Sequence, residues 1–539
     1  MNQANHSGLV EISHDAAVSS GKQVDATVSR GEVGNLRDDP EAKAQFLATF
    51  DADEETRIMR KVSRHFFLLI GIMYMIKSLD TNNAANIRVL QVGQPRNIMA
   101  ELGMTSDEYN WVGSIYGIAY IIFEAPSNLL LKRMSPHLWQ SRIFLTWGVI
   151  TACHAAVQTR DQLYAVRFLL GMFEAGMFPG VLAQLSSWYR TDEMGTPVAI
   201  FFVFNSLAPI VGSLLCYGLS YMNGVAGISA WRWVFLIEGL ATIVFSGFVF
   251  WLLPDYPKSP RSNRWLSARE QEFIEARLPE NAPLTNDPAF SKKEILAVLK
   301  RVLIWSFMLS QTLVNIGGYA LTWFLPTIIT NLGFAELPRN QLLNIPPAVA
   351  AICGILFSAW LMNQAIIVRP ALIMIIMAGM VTCFVLFFTI SNHVGIYISC
   401  ILGSLFYQTY FIPFWAWRSA TMSGSTGTAF TLGLQSGIAQ LGGVIGPQLF
   451  QSRWAYNGYK NSFAIAGSTI IAGFVSNLWT WWLTRNTEYD VLRVRRIMNQ
   501  ARRDGRTNYE DDIRIFEERR FFEGIRRTKD PVSEDNSQV

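Results

Sequence analysis

Long apolar stretches, each broken by a short polar one, repeat from near His65 to near Arg485. A bilayer core about 30 Å thick takes roughly 20 consecutive apolar residues in helical form. Stretches of that kind lie at roughly 66–88, 109–131, 142–160, 162–188, 197–222 and 232–253, and again at 302–330, 342–362, 368–391, 394–417, 427–450 and 462–484. The pattern predicts an all-α membrane protein with twelve transmembrane helices in two sets of six. Five regions follow: a tail at 1–64, a six-helix half at 65–253, a polar middle loop at 254–300, a second half at 301–485, and a tail at 486–539.

Composition strengthens this reading. Of 539 residues 50% are hydrophobic and only 16% charged, and much of that charge lies in the tails and the middle segment, which is the profile of a polytopic membrane protein. The five cysteines fall in apolar runs without metal-ligand spacing, so they read as core-filling residues. No phosphate-binding loop, zinc motif or nucleophile elbow is present. The sequence therefore predicts no enzyme activity, no cofactor and no metal site. The net charge of +4 is spread in blocks, which argues for membrane orientation and against a nucleic-acid partner.

Orientation follows from the basic residues. With the N-terminus inside, Lys132, Arg133, Arg142, Arg190, the nine basic residues from Lys258 to Arg301, Arg369 and Arg418 fall on the cytoplasmic face. Arg88, Arg96, Arg160, Arg232, Arg339, Arg453 and Lys460 fall on the other. The excess inside satisfies the positive-inside rule, and both tails are expected in the cytoplasm. The halves also resemble each other. "NSLAPIVGS" (205–213) and "QSGIAQLGG" (435–443) share an amide, a serine and a glycine at an offset of 230, and Pro179 and Pro413 lie 234 apart. Such offsets suggest parallel six-helix repeats, with a substrate site at the midplane between them.

Several strings narrow the picture. "LDTNNAAN" (79–86), "FEAPSNLLLKR" (123–133), "RFLLGMFEAGMFPG" (167–180), "WRWVFLIEGLAT" (231–242), and "LPDYPKSP" followed by "RWLSARE" (253–270) resemble the fungal anion:cation symporter family of the major facilitator superfamily, the allantoate permease type. The resemblance covers residues 65–485. It implies the major facilitator fold and proton-coupled uptake of small organic anions, such as allantoate or vitamin-like carboxylates, across the plasma membrane. Two departures stand out: Thr81 occupies the place where the family carries arginine, and Lys77 is not a family feature.

The charged residues inside the spans are the candidate machinery. A charge near the bilayer centre costs about 2.5–3.5 kcal/mol on insertion scales, so it faces the protein interior and usually a partner. Counting helical rise from the span ends places Lys77 level with Glu174, and Asp80 level with Arg167. Two pairs are therefore expected, Lys77 with Glu174 and Asp80 with Arg167. Arg167 has two equally weighted readings, a clamp between helices or a fork for a substrate carboxylate. Glu174 is the candidate proton carrier, since burial favours the neutral form of a carboxylic acid; the alternative is a packing acceptor. Glu124 near the inner end of the second span, with Lys132 and Arg133 beyond it, is assigned to the inner gate. Glu238 reads as structural.

In the second half Gln311, Asn315, Tyr319 and Trp323 follow four-residue steps along the seventh span and form one stripe. With Tyr407 on the tenth they are expected to complete a cavity suited to a flat anion. The leading expectation is thus a monomeric secondary transporter in the lipid bilayer, moving an organic anion with protons. Export of a metabolite, from the cell or into a vacuole, and a non-transporting nutrient receptor are the alternatives.

Overall fold

The computed structural model describes residues 40–131, 134–190, 193, 195–278, 299–421 and 434–503. Every regular element among them is helical. The described residues 40–49, which include the helix α1 (Pro40–Ala48), belong to a separate unit.

The second unit carries the bundle. Its first half consists of α2 (Ala52–Val89), the short α3 (Ile98–Glu101), α4 (Ser106–Leu131), α5 (Pro136–Cys153), α6 (Arg160–Glu174), α7 (Met177–Leu185), α8 (Gly195–Ser220) and α9 (Ala230–Leu252). A polar connection with α10 (Ala268–Ala276) follows. The second half consists of α11 (Val302–Asn331), α12 (Ile345–Asn363), α13 (Arg369–Thr389), α14 (His393–Ala420), a helical stretch at 434–439 continued by α15 (Leu441–Ile445), and α16 (Lys460–Arg503). Taking α6 and α7 as one pass, and 434–445 as another, the described helices fit the twelve expected spans. Nine are long and apolar enough to cross a membrane by length and composition alone. Side chains such as Leu68, Val244, Phe357 and Val475 stand 60% exposed or more on the outside of these helices. Such an apolar exterior suits lipid contact and would be a liability in water.

Two edges differ from the sequence reading. Helix α2 has 38 residues, roughly 57 Å at 1.5 Å per residue, so it begins well before the apolar run. The fourth span is broken. Pro179 has no N–H to give the carbonyl four residues back, which is that of Ala175, and Gly176 adopts a left-handed φ of 90°. The Ser127 hydroxyl donates to the Ala175 carbonyl instead, at 2.6 Å. A Cβ on Gly176 would fall 2.1 Å from that hydroxyl oxygen. Glu174 is thereby the last residue of α6, at the break.

The repeat has a structural counterpart at the end of the bundle where α2 begins and α16 continues. His137 at the start of α5 meets Asp255, just past α9, at 2.7 Å. Arg369 at the start of α13 meets Glu488 on α16 at 2.6 Å. The partners are offset by 232 and 233 positions. In each half an acid beyond the sixth pass is tied to the head of the third.

Candidate functional site

A cavity of about 140 Å³ lies between the halves. Tyr74, Lys77 and Asn205 line it from the first half; Gln311, Asn315, Tyr319 and Tyr407 line it from the second. The stripe on α11 is held by the eleventh span. Asn315 Nδ2 donates to the Ala439 carbonyl at 3.0 Å, and the Tyr319 hydroxyl donates to Gln440 Oε1 at 3.2 Å. Tyr407 donates to Asn315 Oδ1 at 3.5 Å, and Gln435 donates to Gln311 Oε1. Glycine permits this closeness: a Cβ on Gly442 would sit 2.5 Å from Asn315 Cβ, and one on Gly318 would enter the Tyr407 ring.

The charged residues separate into two groups. Lys77 lines the cavity and its Nζ lies 3.7 Å from Glu174 Oε1, as the helical rise predicts. The ammonium also stands 5.4 Å from the centre of the Tyr120 ring, within reach of a cation–π attraction. Glu174 is completely buried behind it and is not part of the cavity wall.

Asp80 and Arg167 do not form the expected contact. No ion pair within 4 Å joins them among the described residues; Asp80 Oδ2 accepts from Trp147 Nε1, with Thr151 Oγ1 at 3.5 Å, both on α5. Arg167 is 2% exposed, lies off the cavity wall, and sets its guanidinium 5.1 Å from the Phe235 ring centre on α9. Helical rise gives depth but not azimuth, and Asp80 turns towards α5. Glu238 accepts from Asn83 in the same packed region. Glu124, 3% exposed, comes within 2.8 Å of where a Cβ on Gly437 would lie, so α4 abuts the eleventh span there. Lys132 and Arg133 lie outside the described residues.

The end of the bundle that carries α3 is sealed between the halves. Asn110 on α4 is fully buried and joins three elements. Its Oδ1 accepts from Arg88 Nη1 at 2.9 Å and from Trp323 Nε1 at 3.3 Å, and its Nδ2 donates to the Phe450 carbonyl at 2.8 Å. Ser114 donates to the Val444 carbonyl at 2.7 Å, and Arg88 stacks 4.4 Å from the Phe324 ring centre. Trp323, the outermost member of the α11 stripe, therefore belongs to this seal. Sequence reasoning missed Asn110 altogether. It also missed Asn205, which accepts from Ser78 at 2.6 Å and reaches Gln408 across the cavity at 3.4 Å. An amide in mid-span was the available signal for Asn205.

A family model described as the Major Facilitator Superfamily matches residues 66–447. The chain belongs to that superfamily. It is therefore a multi-pass membrane transporter of small substrates and not an enzyme. It is 33% identical over 333 residues to the "MFS transporter prlL" of Fungal sp. (strain NRRL 50135), covering 61% of this chain and 66% of that one. It is 28% identical over 410 residues to a putative tartrate transporter of Agrobacterium vitis, covering 74% and 88%. Among solved structures, a bacterial homolog of the human lysosomal transporter Spinster, inward-facing and occupied, matches with a TM-score of 0.55 at 13% identity. It covers 78% of this chain and 96% of that one, and this likeness concerns the fold alone.

Proposed function

We propose that this chain is a proton-coupled transporter of a small organic anion, of the allantoate permease type. The observation that carries the reading is the cavity between the halves, where Lys77 stands among amides and tyrosines with the buried Glu174 behind it. An ammonium in a site poor in water attracts a carboxylate strongly, and the amides orient it. Glu174 is the proton carrier in this reading, since a fully buried carboxylate is neutralised either by a cation or by a proton. The Agrobacterium relative, a putative tartrate transporter by name, is likewise linked to an organic anion, though a doubly charged one. The packed position of Arg167 favours its clamp role over direct carboxylate recognition.

With both tails in the cytoplasm, the seal around Asn110 lies on the far side of the membrane from them. Closing one end of a two-half bundle while the other opens is how such repeats alternate access. Cysteines introduced at Thr105 and Asn263, in a background without the five native ones, test the orientation. An impermeant reagent added to intact cells should label Thr105→Cys alone; labelling of Asn263→Cys instead overturns it.

The function itself is tested in vesicles holding the purified protein, with an inward proton gradient and a panel of labelled carboxylates that includes tartrate. Gradient-driven accumulation of a panel member is expected. Uptake indifferent to the proton gradient, or no carboxylate transport at all, contradicts the proposal.

A further inference from the structure

Among the described residues that line the cavity, Lys77 alone is charged. Its side chain borders the cavity, and its ammonium lies 3.7 Å from Glu174, long for a direct hydrogen bond. Neither oxygen of Glu174 receives a hydrogen bond of good geometry among the described residues, and the Tyr116 hydroxyl and the Lys77 ammonium are the donors placed beside it. The titratable and charged groups around Glu174 are Lys77, Tyr74 and Asp80 from α2, Tyr116 and Tyr120 from α4, Tyr319 from α11, and Arg167 on its own helix. Of the two cations, Arg167 is fixed by packing behind the cavity wall, whereas Lys77 has a flexible four-carbon stem and three donors. A small swing of that stem moves the charge from the carboxylate into the cavity.

Resting on the transport reading above, we propose that Lys77 anchors the substrate carboxylate and is exchanged between Glu174 and the substrate, so that each bound anion brings one proton onto Glu174. The charge balance requires the proton. The empty site holds an ammonium and a carboxylate, with no net charge. A monoanion seated on Lys77 leaves Glu174 as an uncompensated buried charge, which is costly in low dielectric. One proton on Glu174 restores neutrality. The loaded and empty sites then carry the same net charge. A dicarboxylate adds a second negative charge for which the described cavity wall offers no cation, so the site selects monocarboxylates.

The test uses the full chain in lipid nanodiscs, titrated by calorimetry with benzoate, pyridine-3-carboxylate, indole-3-acetate and tartrate in two buffers of different ionisation enthalpy. At least one monocarboxylate should bind with uptake of one proton per anion, and tartrate more weakly. Lys77→Met should weaken that binding by more than about tenfold, the loss expected for a charge-assisted contact. Glu174→Gln should bind without taking up a proton. Wild-type binding without proton uptake, wild-type affinity in Lys77→Met, or binding of tartrate alone would overturn the exchange, as would failure of all three monocarboxylates to bind. If Lys77→Met does not insert, proton uptake persisting in Glu174→Gln overturns it as well. Binding needs no transport, so the two readings fail separately. A chain that exchanges protons as stated but accumulates nothing loses the transport reading, and a proton-driven transporter with unchanged Lys77→Met affinity loses the exchange.

Discussion

Asp80 and Arg167 feel each other's charge without direct contact: the aspartate accepts from Trp147 on α5, and the arginine packs against Phe235 on α9. The relationship favours a framework role for Arg167 in the proposed transporter and leaves Lys77 as the charged residue among the described ones that line the cavity.

It follows that Arg167 variants change stability more than substrate affinity. Arg167→Met leaves buried acidic neighbours without their cation, and breaking a buried charge arrangement from one side costs about 3–5 kcal/mol. A marked fall in melting temperature is expected. Arg167→Lys keeps the charge, so it should fold and retain the wild-type KM for an accumulated carboxylate, with a lowered rate. A KM raised tenfold in Arg167→Lys would return the residue to the binding site.

Asn110 ties both halves together through three hydrogen bonds at a fully buried position. Asn110→Leu fills similar space and makes none of them. It also strands the Arg88 and Trp323 donors, so the sealed conformation should lose population. Asn82 on α2 also lines the cavity, and a cysteine there reports the change. In the Asn110→Leu background it should react with an impermeant reagent from outside several-fold faster than in the wild-type background. Equal rates would mean that the seal does not depend on Asn110.

Close helix crossings predict a second class of sensitive positions. A Cβ on Gly239 of α9 would come 2.4 Å from the Ala152 backbone nitrogen on α5, and one on Gly171 of α6 would come 2.4 Å from the Tyr116 carbonyl on α4. Backbone cannot swing aside as a side chain can, and small residues are what allow membrane helices this approach. Gly239→Ala and Gly171→Ala should each lose about 1–3 kcal/mol, the range for overpacking, seen as lowered melting temperature in detergent. Gly247→Ala, which meets nothing within 4 Å, should melt as the wild type does.

Much of this was legible in the sequence because it depends on local spacing. The spans follow from runs of apolar residues, and the α11 stripe follows from four-residue steps. Lys77 met Glu174 because depth sufficed for that pair. Asp80 and Arg167 required helix azimuth, which depends on how α2 sits against α5 and is not written in either segment. The break at Gly176 was signalled by Pro179 four residues after Ala175, but the Ser127 hydroxyl that makes the break tolerable comes from another helix. The Asn110 seal was out of reach, since the amide and the Phe450 carbonyl are 340 positions apart and an asparagine near the start of a span reads equally well as a helix-end residue.

In the proposed mechanism Glu174 carries the proton that accompanies the anion. Its most direct test compares two activities of Glu174→Gln in the same vesicles, using the carboxylate that the wild-type protein accumulates. Glutamine holds the neutral state permanently, so exchange of labelled for unlabelled anion should persist while accumulation driven by a proton gradient disappears. Gradient-driven accumulation at the wild-type level in Glu174→Gln would contradict the account.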